Sequence, residues 1–548
     1  MLSAFIFELS FVLGAMDIGV KERSAVDTPR LIEYAFPLKQ ASLDSVHEKN
    51  VRHGHISTLH IWPARRPLAA CRAALIATLL PDPEDAEERK KLLERLGGKV
   101  VQVVKKKKLP SGKVEEKSVD ETVGGILHWG RESGPNLEWF RQKIRDAYGG
   151  RAPKVLDPFA GGGAIPLEAM RLGCEVTAID INPVAWFILK CTLEYPQKLA
   201  DQHRPLPKFA LECTEFMEGY FKGTGKVTKK QLERKLQAIQ IGLFPAPDVD
   251  LAWHVRAWGW WVLQQAKADL ERYYPVVDGK PTVAYLWART VMCKNCRATI
   301  PLLKTRWLCK KDNKRVLLTM APNKTGVVFG VQTNVPQGGI NAAQRRAHDK
   351  RIGGGTMSRS GATCPCCATI MTMEDIRLEG QAGRLSAAMT AVVVNGPKGK
   401  EYRMPTDEEI GLAADAEKEL ENVFAEIPFG LPEEPLPSKE ALGFRVPLYG
   451  LDQWHKLFTP RQLLALGAFV KHTHAAHEAM YAEHYPSEWV EAIGAYLALA
   501  IDRVANRGSS LCIWNMPAEK IEQTFARFAL PILWDFAESN SLSEASGN

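Results

Sequence analysis

Residues 154–183 read KVLDPFAGGGAIPLEAMRLGCEVTAIDINP, and this stretch decides the fold. A short apolar run ends at Asp157, and three consecutive glycines follow at 161–163. Residues 164–172 carry apolar side chains at helical spacing and end at a further glycine. Residues 175–181 then alternate toward a second strand. The stretch therefore predicts a strand, a glycine turn, a helix, and a second strand with an acidic residue, in a chain of α/β class.

A βαβ unit of this kind has the features of a cofactor-binding site. Glycine has no Cβ, so a ligand can approach the backbone of the turn closely. An acidic side chain beyond the second strand, here Asp180, can accept hydrogen bonds from ribose hydroxyls. The spacing is not the Gly-x-Gly-x-x-Gly fingerprint of dinucleotide-binding domains, because Asp-Pro-Phe stands before the glycines. The alternative is an ordinary βαβ turn without a ligand.

The form Asp-Pro-Phe-x-Gly-x-Gly resembles the S-adenosylmethionine motif of methyltransferases that modify amino groups of DNA or RNA bases. Residues 180–183, Asp-Ile-Asn-Pro, match the second cofactor-binding segment of these enzymes. The resemblance implies a Rossmann-like methyltransferase core. It also implies that Asp180 holds the ribose, that Asp157 lies near the methionine ammonium group, and that Phe159 supports the loop. The residues implied to bind the cofactor are Asp157, Phe159, Ala160, Gly161, Gly163, Asp180 and Asn182.

The bulk properties are those of a globular protein with several domains. The chain has 548 residues, of which 45% are apolar and 24% charged, and this length predicts about three to four domains. A net charge of +8 is compatible with a nucleic-acid partner but does not require one. Residues 1–16 are apolar but lack the basic region and cleavage site of a secretory signal. We interpret residues 1–26 as a leader ahead of a start near Met16, or as part of a buried helix.

Residues 53–73, HGHISTLHIWPARRPLAACRA, contain two arginines that are candidates for nucleic-acid binding. Arg65 and Arg66 stand directly before a predicted helix at 68–80, where positive charge opposes the helix dipole. Arginines at such a place can serve a phosphate or carboxylate partner. The alternative is a solvated basic turn. The three histidines of the stretch have no carboxylate or cysteine beside them, so we expect packing or hydrogen-bonding roles for them rather than a metal site.

Two further segments give weaker indications of nucleic-acid binding. Residues 97–119 predict a β-hairpin that carries Lys105–Lys108, although a charge run is more often simply solvated. Residues 249–273 contain four tryptophans in a helical pattern. Tryptophans at that spacing are more often part of a core than of a base-stacking surface.

Two cysteine pairs predict a zinc ribbon. Cys293 and Cys296 form the first Cys-x-x-Cys pair, and Cys364 and Cys367 form the second. Tetrahedral zinc needs four soft ligands, and such a pair lets two thiolates meet on one ion. Cys366 is an alternative to Cys367, since a Cys-Pro-Cys turn can also bind. Four cysteine ligands leave no open position for water, so we expect the zinc to be structural. Cysteines used in this way fit a reducing cytoplasm.

The C-terminal part is predicted to contain a hairpin around Asn395-Gly396 and then mainly helices, one of them capped by Thr459 and Pro460. The predicted organisation is a leader at 1–26, an N-terminal region at 27–150, a cofactor-binding half at 151–283, a zinc-ribbon insertion at 284–380, and a hairpin with a helical region at 381–548.

With these segments placed, the chain resembles a family of large bacterial and archaeal adenine-specific DNA methylases that contain a zinc ribbon and an N-terminal DUF1156 domain. The resemblance covers nearly all of the chain after the leader. It implies adenine-N6 methylation of DNA, S-adenosylmethionine and structural zinc as cofactors, and a role in restriction or phage defence. One departure is Pro63, where the family usually has tryptophan. The resemblance to the family rests on these strings: RLIEYAFPLKQAS at 30–42, the stretch at 53–73, DPFAGGGAIPLEA at 157–169, the cysteine pairs, and YGLDQWHKLFTPRQLLAL at 449–466.

A larger departure concerns catalysis. Amino-methyltransferases hold the target amine with an Asn/Asp/Ser-Pro-Pro-Tyr/Phe loop, and this sequence contains no Pro-Pro dipeptide. In the family this loop lies further along than the chain reaches. We therefore expect the N-terminal part of a longer or split enzyme, with a second chain that carries the loop, and we assign no catalytic residue. Residues 515–517, Asn-Met-Pro, are superficially similar to the loop, but we interpret them as a helix-start turn.

Three functions remain open at this stage. The first is a DNA adenine-N6 methyltransferase, for which the target base must leave the duplex. The second is an RNA base methyltransferase, since guanine-N2 enzymes have a similar Asp-Pro-Phe string. The third is a non-catalytic nucleic-acid-binding or regulatory protein that retains cofactor binding. The cysteine pairs and the Ala-Arg-Arg-Pro segment favour the first, and the missing loop favours the third for the isolated chain.

Overall fold

The computed structural model describes residues 28–51, 53–108, 114–225, 245–526 and 529–543, together with positions 228, 231, 233, 234 and 237. The predicted leader lies outside the described residues, and so does the turn of the predicted lysine hairpin. The chain divides into two compact units, Met1–Lys198 and Leu199–Asn548.

The first unit combines helices with two pairs of strands. Strands β1 and β2 form an antiparallel hairpin, as the sequence predicts. Strands β3 and β4 pair in parallel, and α6 lies between them in the sequence. This confirms the predicted order of strand, glycine turn, helix and strand. The helices are α1 (Leu31–Tyr34), α2 (Leu38–Glu48), α3 (Leu68–Leu79), α4 (Ala86–Gly97), α5 (Pro135–Ala147), α6 (Ala164–Arg171), α7 (Pro183–Leu189) and α8 (Tyr195–Lys198). The strands are β1 (Lys99–Lys108), β2 (Val114–Val123), β3 (Lys154–Asp157) and β4 (Glu175–Ala178).

Helix α3 is the centre of the first unit. Its sequence, LAACRAALIATL, is apolar on nearly every face, and a helix of this kind must be surrounded by other elements. Helices α2, α5 and α6 pack around it. The core that they share includes Ile76, Leu96, Phe140 and Leu172, all of them buried. The predicted N-terminal region and the helix of the βαβ unit therefore fold together in one unit.

The second unit contains most of the strands. Its helices are α9 (Lys208–Glu212), α10 (Thr214–Thr224), α11 (Leu251–Leu270), α12 (Ala342–Ile352), α13 (Met373–Gln381), α14 (Asp407–Asp415), α15 (Leu420–Ala425), α16 (Lys439–Leu442), α17 (Pro460–Ala482) and α18 (Ser487–Arg507). Its strands are β5 (Arg204–Pro205), β6 (Asp248–Val249), β7 (Thr282–Met292), β8 (Thr299–Leu302), β9 (Trp307–Lys311), β10 (Lys314–Pro322), β11 (Val327–Gln332), β12 (Gly361–Thr363), β13 (Ile370–Thr372), β14 (Ser386–Gly396), β15 (Gly399–Arg403), β16 (Trp514–Asn515), β17 (Lys520–Ile521) and β18 (Asp535–Ser539).

An antiparallel sheet built on β7 forms the main core of the second unit. The strand order is β15-β14-β7-β18, and β8 pairs with the end of β7. Strand β7 is buried along almost its whole length, because neighbouring elements cover both of its faces. A second sheet follows the order β11-β10-β9, and β12 and β13 form a separate hairpin. The predicted hairpin around Asn395-Gly396 is confirmed as β14 and β15.

Helices α11, α17 and α18 pack against one another in the same unit. Helix α17 begins as predicted, since the Thr459 hydroxyl accepts a hydrogen bond from the Gln462 N–H at 3.2 Å. Its first turn carries Arg461, which is fully buried and bonds to Glu538 at 2.6 Å. Among the described residues, none of the helices combines the length and the apolar character needed to cross a membrane.

The described residues are of mixed α/β class. The finer prediction of a Rossmann-like core corresponds to only two parallel strands in the described part of the chain, β3 and β4, so it stays a prediction. The predicted zinc-ribbon segment, 284–380, begins inside β7, and β7 pairs with β14 beyond the end of that segment.

Candidate functional site

The first cysteine pair lies on a tight turn between β7 and β8. The Cys293 N–H donates to the Ala298 carbonyl at 2.9 Å, and the Arg297 N–H donates to the Cys293 carbonyl at 3.1 Å. Arg297 has a φ of 62°, a left-handed conformation that non-glycine residues rarely adopt. Cys296 lies inside the loop that these bonds close, so both thiols belong to one rigid turn.

The second cysteine pair lies on an equivalent turn between β12 and β13. The Cys364 N–H donates to the Thr369 carbonyl at 2.9 Å, and the Ala368 N–H donates to the Cys364 carbonyl at 2.9 Å. Ala368 has a φ of 59°, which matches the residue at the same place in the first turn. The repeated geometry makes Cys367 the equivalent of the second cysteine in the first turn.

The four thiols converge on one point. The Sγ atoms of Cys293 and Cys367 are 3.7 Å apart, and those of Cys296 and Cys364 are 3.6 Å apart. All four Sγ atoms lie within 4.8 Å of one another. A tetrahedral zinc with bonds of about 2.3 Å places its sulfur ligands about 3.8 Å apart. The cluster could therefore hold one metal ion, and its dimensions fit zinc.

Cys366, the predicted alternative ligand, lies outside this cluster. Its Sγ lies 3.1 Å from the Gly326 carbonyl oxygen, to which the thiol donates, next to the start of β11. By spacing alone, either Cys366 or Cys367 could be the fourth ligand of the metal site. The structure decides for Cys367, because only that residue occupies the position that matches Cys296.

Hydrogen bonds favour the thiolate at one ligand of the cluster. The Thr369 hydroxyl oxygen lies 3.3 Å from the Sγ of Cys367, and hydrogen bonds from the hydroxyl and backbone of Thr369 lower the pKa of this thiol, whereas burial raises the pKa of Cys364. The thiolate is the form of cysteine that binds metals. Apolar residues, among them Val291, Ile300 and Met371, are buried beneath the cluster and hold the two turns together.

The glycine turn of the βαβ unit has the predicted form. Strands β3 and β4 are in register from Lys154 opposite Glu175 to Asp157 opposite Ala178. Gly161 and Gly163 have φ values of 52° and 83°, a region that glycine enters without steric cost. Helix α6 starts directly after the second of these glycines.

Asp180, at the end of the second strand, holds the glycine turn in shape. Its Oδ2 accepts the Gly161 N–H at 2.8 Å, and its Oδ1 accepts the Asn182 N–H at 2.9 Å. Asn182 in turn caps α7 by accepting the Val184 N–H at 2.9 Å. A carboxylate has about four acceptor positions, so Asp180 could accept a ribose hydroxyl while it keeps both of these bonds.

The other cofactor-binding candidates surround the same turn. Asp157 is buried, and its Oδ1 accepts the Phe159 N–H at 3.1 Å. Ala160 is also buried, and its N–H donates to the Ile179 carbonyl at 2.9 Å. The phenyl ring of Phe159 is 84% exposed, so this side chain has little packing of its own in the described residues. The structure thus brings the predicted candidates together around one turn.

The βαβ unit and the segment after it expose several large apolar side chains. Ala178 packs toward α6. Side chains alternate along a strand, so the neighbouring Thr177 and its partner Leu156 point to the opposite face, and both are exposed. On this face Leu156 is 62% exposed, and beyond it Ile181 is 96% exposed. Among the described residues, neither β3 nor β4 pairs with a further strand. We call the exposed side chains the open surface; they are Leu156, Phe159, Ile179, Ile181, Val184 and Trp186.

Trp62, which is not among the predicted site residues, lies on the glycine turn. A Cβ added to Gly161 would lie 2.5 Å from the indole Nε1, and one added to Gly162 would lie 3.2 Å from the Trp62 Cβ. Because neither glycine has a Cβ, the Trp62 side chain can pack directly against the backbone of the turn. Trp62 belongs to the string HIWPARRP, which the sequence shows. Its contact with the turn joins residues about one hundred positions apart, so no local pattern reveals that contact.

Buried charges join the segment around Trp62 to the βαβ unit. Arg72 on α3 bonds to Glu168 on α6 at 2.6 Å and 3.1 Å, and both side chains are almost fully buried. Glu48 on α2 accepts the Leu68 and Ala69 N–H groups at 2.8 Å and 3.0 Å, which caps the start of α3. These bonds fix the loop before α3 against α6.

Arg65 and Arg66 lie in the loop between Trp62 and α3, and both side chains are exposed. The geometry leaves them accessible to a partner. It does not select between a phosphate contact and a solvated turn, so their role in nucleic-acid binding stays a prediction.

The structure also shows the surroundings of the histidines, the tryptophans and the lysine run that the sequence pointed to. His55 is buried and bonds to the Glu48 carboxylate at 2.7 Å, which is a hydrogen-bonding role; this carboxylate lies outside the stretch in which the sequence showed none. Trp258 in α11 is fully buried, as expected of a core residue. Lys105 and Lys106 on the β1–β2 hairpin pair with Glu121 and Glu116 of the opposite strand, so these two lysines add less net positive charge to the hairpin than the lysine run suggests.

Residues 515–517 form the turn of the β16–β17 hairpin, so their interpretation as a helix start is wrong. Asn515 Oδ1 accepts the Ala518 N–H at 2.9 Å, and Glu519 follows with a φ of 51°. The Glu519 carboxylate bonds to Lys314 at 2.6 Å, so contacts distant in sequence hold this turn. Local sequence could not show them.

One comparison with known proteins gives a match. Residues 35–96 match the family model described as "Protein of unknown function (DUF1156)". No curated protein and no solved structure matches the chain. The matched residues include α3, which bonds to α6, and the loop that carries Trp62. Residues 35–96 of this chain are therefore a DUF1156 domain.

Proposed function

We propose that this chain binds S-adenosylmethionine on its glycine turn and forms the cofactor-binding part of a DNA adenine-N6 methyltransferase. One observation carries the proposal: a carboxylate at the end of the second parallel strand, Asp180, is bonded to the glycine turn that precedes α6. Asp180 keeps acceptor positions for a ribose beside this turn, because its two backbone bonds use only part of the capacity of a carboxylate. The Asp-Pro-Phe motif selects a methyl donor over a dinucleotide.

Each residue of the turn then has a defined task. Asp180 accepts the ribose hydroxyls, and Asp157 favours the ammonium group of the methionine moiety. S-adenosylmethionine supplies an activated methyl group for the exocyclic amine of a base. That base must leave the duplex to reach it. Arg65 and Arg66 supply phosphate contacts, which give affinity rather than sequence choice.

The open surface supports a second polypeptide in the complete enzyme. Parallel sheets in known folds are covered on both faces, and two strands alone are rarely stable. Here the open surface leaves apolar side chains in water, and the sequence has no Pro-Pro loop to hold an amine. The partner we propose contributes parallel strands to β3 or β4, covers the open surface, and carries an Asn/Asp-Pro-Pro-Tyr type loop.

The cysteine cluster is proposed as a structural zinc site. It has four protein ligands and no open coordination position, which is the arrangement of structural rather than catalytic zinc. The ion would hold together two turns that are far apart in sequence.

Transfer of a labelled methyl group tests this function. The chain is assayed on DNA and on RNA, alone and mixed with a polypeptide from a neighbouring reading frame that encodes an Asn/Asp-Pro-Pro-Tyr loop. We expect transfer to adenine in DNA from the mixture only. A mixture that methylates RNA alone would support the guanine-N2 alternative. Activity of the isolated chain on DNA would contradict the need for a second polypeptide.

A further inference from the structure

The glycine turn has an aromatic neighbour, and its placement is specific. The Trp62 indole lies where the Cβ of any other residue at 161 would be, and it also touches the space above Gly162. The side chain is only half-buried, so part of the ring remains accessible. The indole thus lies beside the surface of the turn that a cofactor must approach.

The loop that carries this indole is firmly held. Glu48 caps the helix that follows it, and the Arg72–Glu168 pair joins that helix to α6. Leu68 and Ala164 pack together in the same small core. A side chain supported in this way is suited to form the wall of a binding site, because its position does not depend on the ligand.

Charges of both signs surround the turn, since two carboxylates border it and the exposed Arg65 and Arg66 follow Trp62 on the adjoining loop. Asp157 and Asp180 both border the turn, and each directs a carboxylate oxygen toward a backbone N–H there. The sulfonium of S-adenosylmethionine joins the ribose to the methionine moiety, so it would lie between the groups assigned to these two residues. An indole face attracts a cation at short range, more strongly than other aromatic rings.

We infer that Trp62 contacts the sulfonium of bound S-adenosylmethionine, so that the DUF1156 domain supplies one wall of the methyl-donor site. This inference rests on the proposed function of the glycine turn. It gives the domain a task in cofactor binding rather than in DNA recognition alone. It also explains why the space above Gly161 and Gly162 is filled by a side chain of a distant segment.

Titration calorimetry with two ligands tests the contact in the full chain. S-adenosylmethionine carries the sulfonium charge, whereas S-adenosylhomocysteine has an uncharged thioether in its place. We expect Trp62→Leu to weaken S-adenosylmethionine binding about tenfold and S-adenosylhomocysteine binding clearly less. Trp62→Phe keeps an aromatic face and should lose about threefold or less. Trp139→Leu, a half-buried tryptophan on α5, serves as the matched control and should bind both ligands as the wild type does.

The outcomes separate this inference from the proposed function. If the wild type binds neither ligand, the proposed function fails and the inference fails with it. If the wild type binds both but Trp62→Leu binds them equally well, or loses both to the same extent, only the inference is overturned. Thermal unfolding of each variant shows whether the fold is retained. If Trp62→Leu unfolds, Trp62→Phe decides, because an unchanged ratio of the two affinities with a reduced affinity for both overturns the sulfonium contact.

Discussion

The cysteine cluster and the glycine turn are both built on short turns between strands, yet one site is closed and the other is open. The four thiols are held by two equivalent turns with a buried apolar core beneath them. The glycine turn also has its internal bonds, but its two strands have one open face and no further strand beside them in the described residues.

The difference concerns which of the two proposed sites has all of its groups within the described residues. A metal site with four protein ligands needs nothing more to be complete. A parallel βαβ unit with large exposed apolar side chains retains the surface of a longer sheet. The two sites should therefore respond differently to substitution, since damage to the first disrupts the chain itself, whereas damage to the second affects its partners and ligands.

The largest effect is expected at the cysteine cluster. Cys367→Ser should lose the bound zinc and unfold the surrounding hairpins, because binding of structural zinc is worth on the order of 10 kcal/mol in small domains. Cys366→Ser is the matched control and should keep one zinc per chain. Metal analysis and limited proteolysis measure both. Retention of zinc by Cys367→Ser, together with its loss from Cys366→Ser, would reverse the ligand assignment.

A smaller effect is expected at the bond that anchors the glycine-turn helix. Glu168→Gln leaves the buried Arg72 without its counter-charge, which should lower the free energy of unfolding by about 3–5 kcal/mol. Glu138→Gln removes an exposed pair with Arg141 and should cost less than about 1 kcal/mol. Denaturant unfolding compares the two. Equal costs would show that the covered side of the βαβ unit is not held as described.

The smallest effect on stability is expected at the open surface, where it can be compared directly with the cysteine region. Ile300→Ala beneath the cluster should cost about 2–5 kcal/mol, because it leaves a cavity. Ile181→Ala, at a side chain that is 96% exposed, should change stability by no more than about 0.5 kcal/mol. The same Ile181 variant should weaken binding of the second polypeptide in a pull-down with the purified partner. A large stability loss there would mean that the chain already covers this surface.

Local sequence was enough to predict the elements whose bonds are local. The strand, glycine turn and helix around Gly161 follow from residues within thirty positions, and the cap at Thr459 follows from its own first turn. The cysteine pairs were found because metal ligands have a characteristic spacing. The choice of Cys367 over Cys366 needed the backbone geometry at Ala368, which spacing does not encode.

Contacts between distant segments could not be predicted in the same way. The position of Trp62 on the glycine turn and the pairing of β7 with β14 and β18 depend on tertiary packing. The sequence predicts a helix start at residues 515–517, whereas the pairing of β16 with β17 places Asn515 at the end of a strand and the two residues after it in a hairpin turn. Tertiary contacts determine such segments more strongly than local preference does.

Calorimetric titration of the purified chain with S-adenosylmethionine tests the central claim most directly. We predict that the wild type binds one molecule per chain and that Asp180→Asn, which disturbs the bonds to the Gly161 and Asn182 N–H groups, weakens binding by at least about tenfold. Glu175→Gln, at the start of the same strand, should bind as the wild type does. A wild type that shows no binding, or an Asp180→Asn variant that binds equally well, would contradict the account.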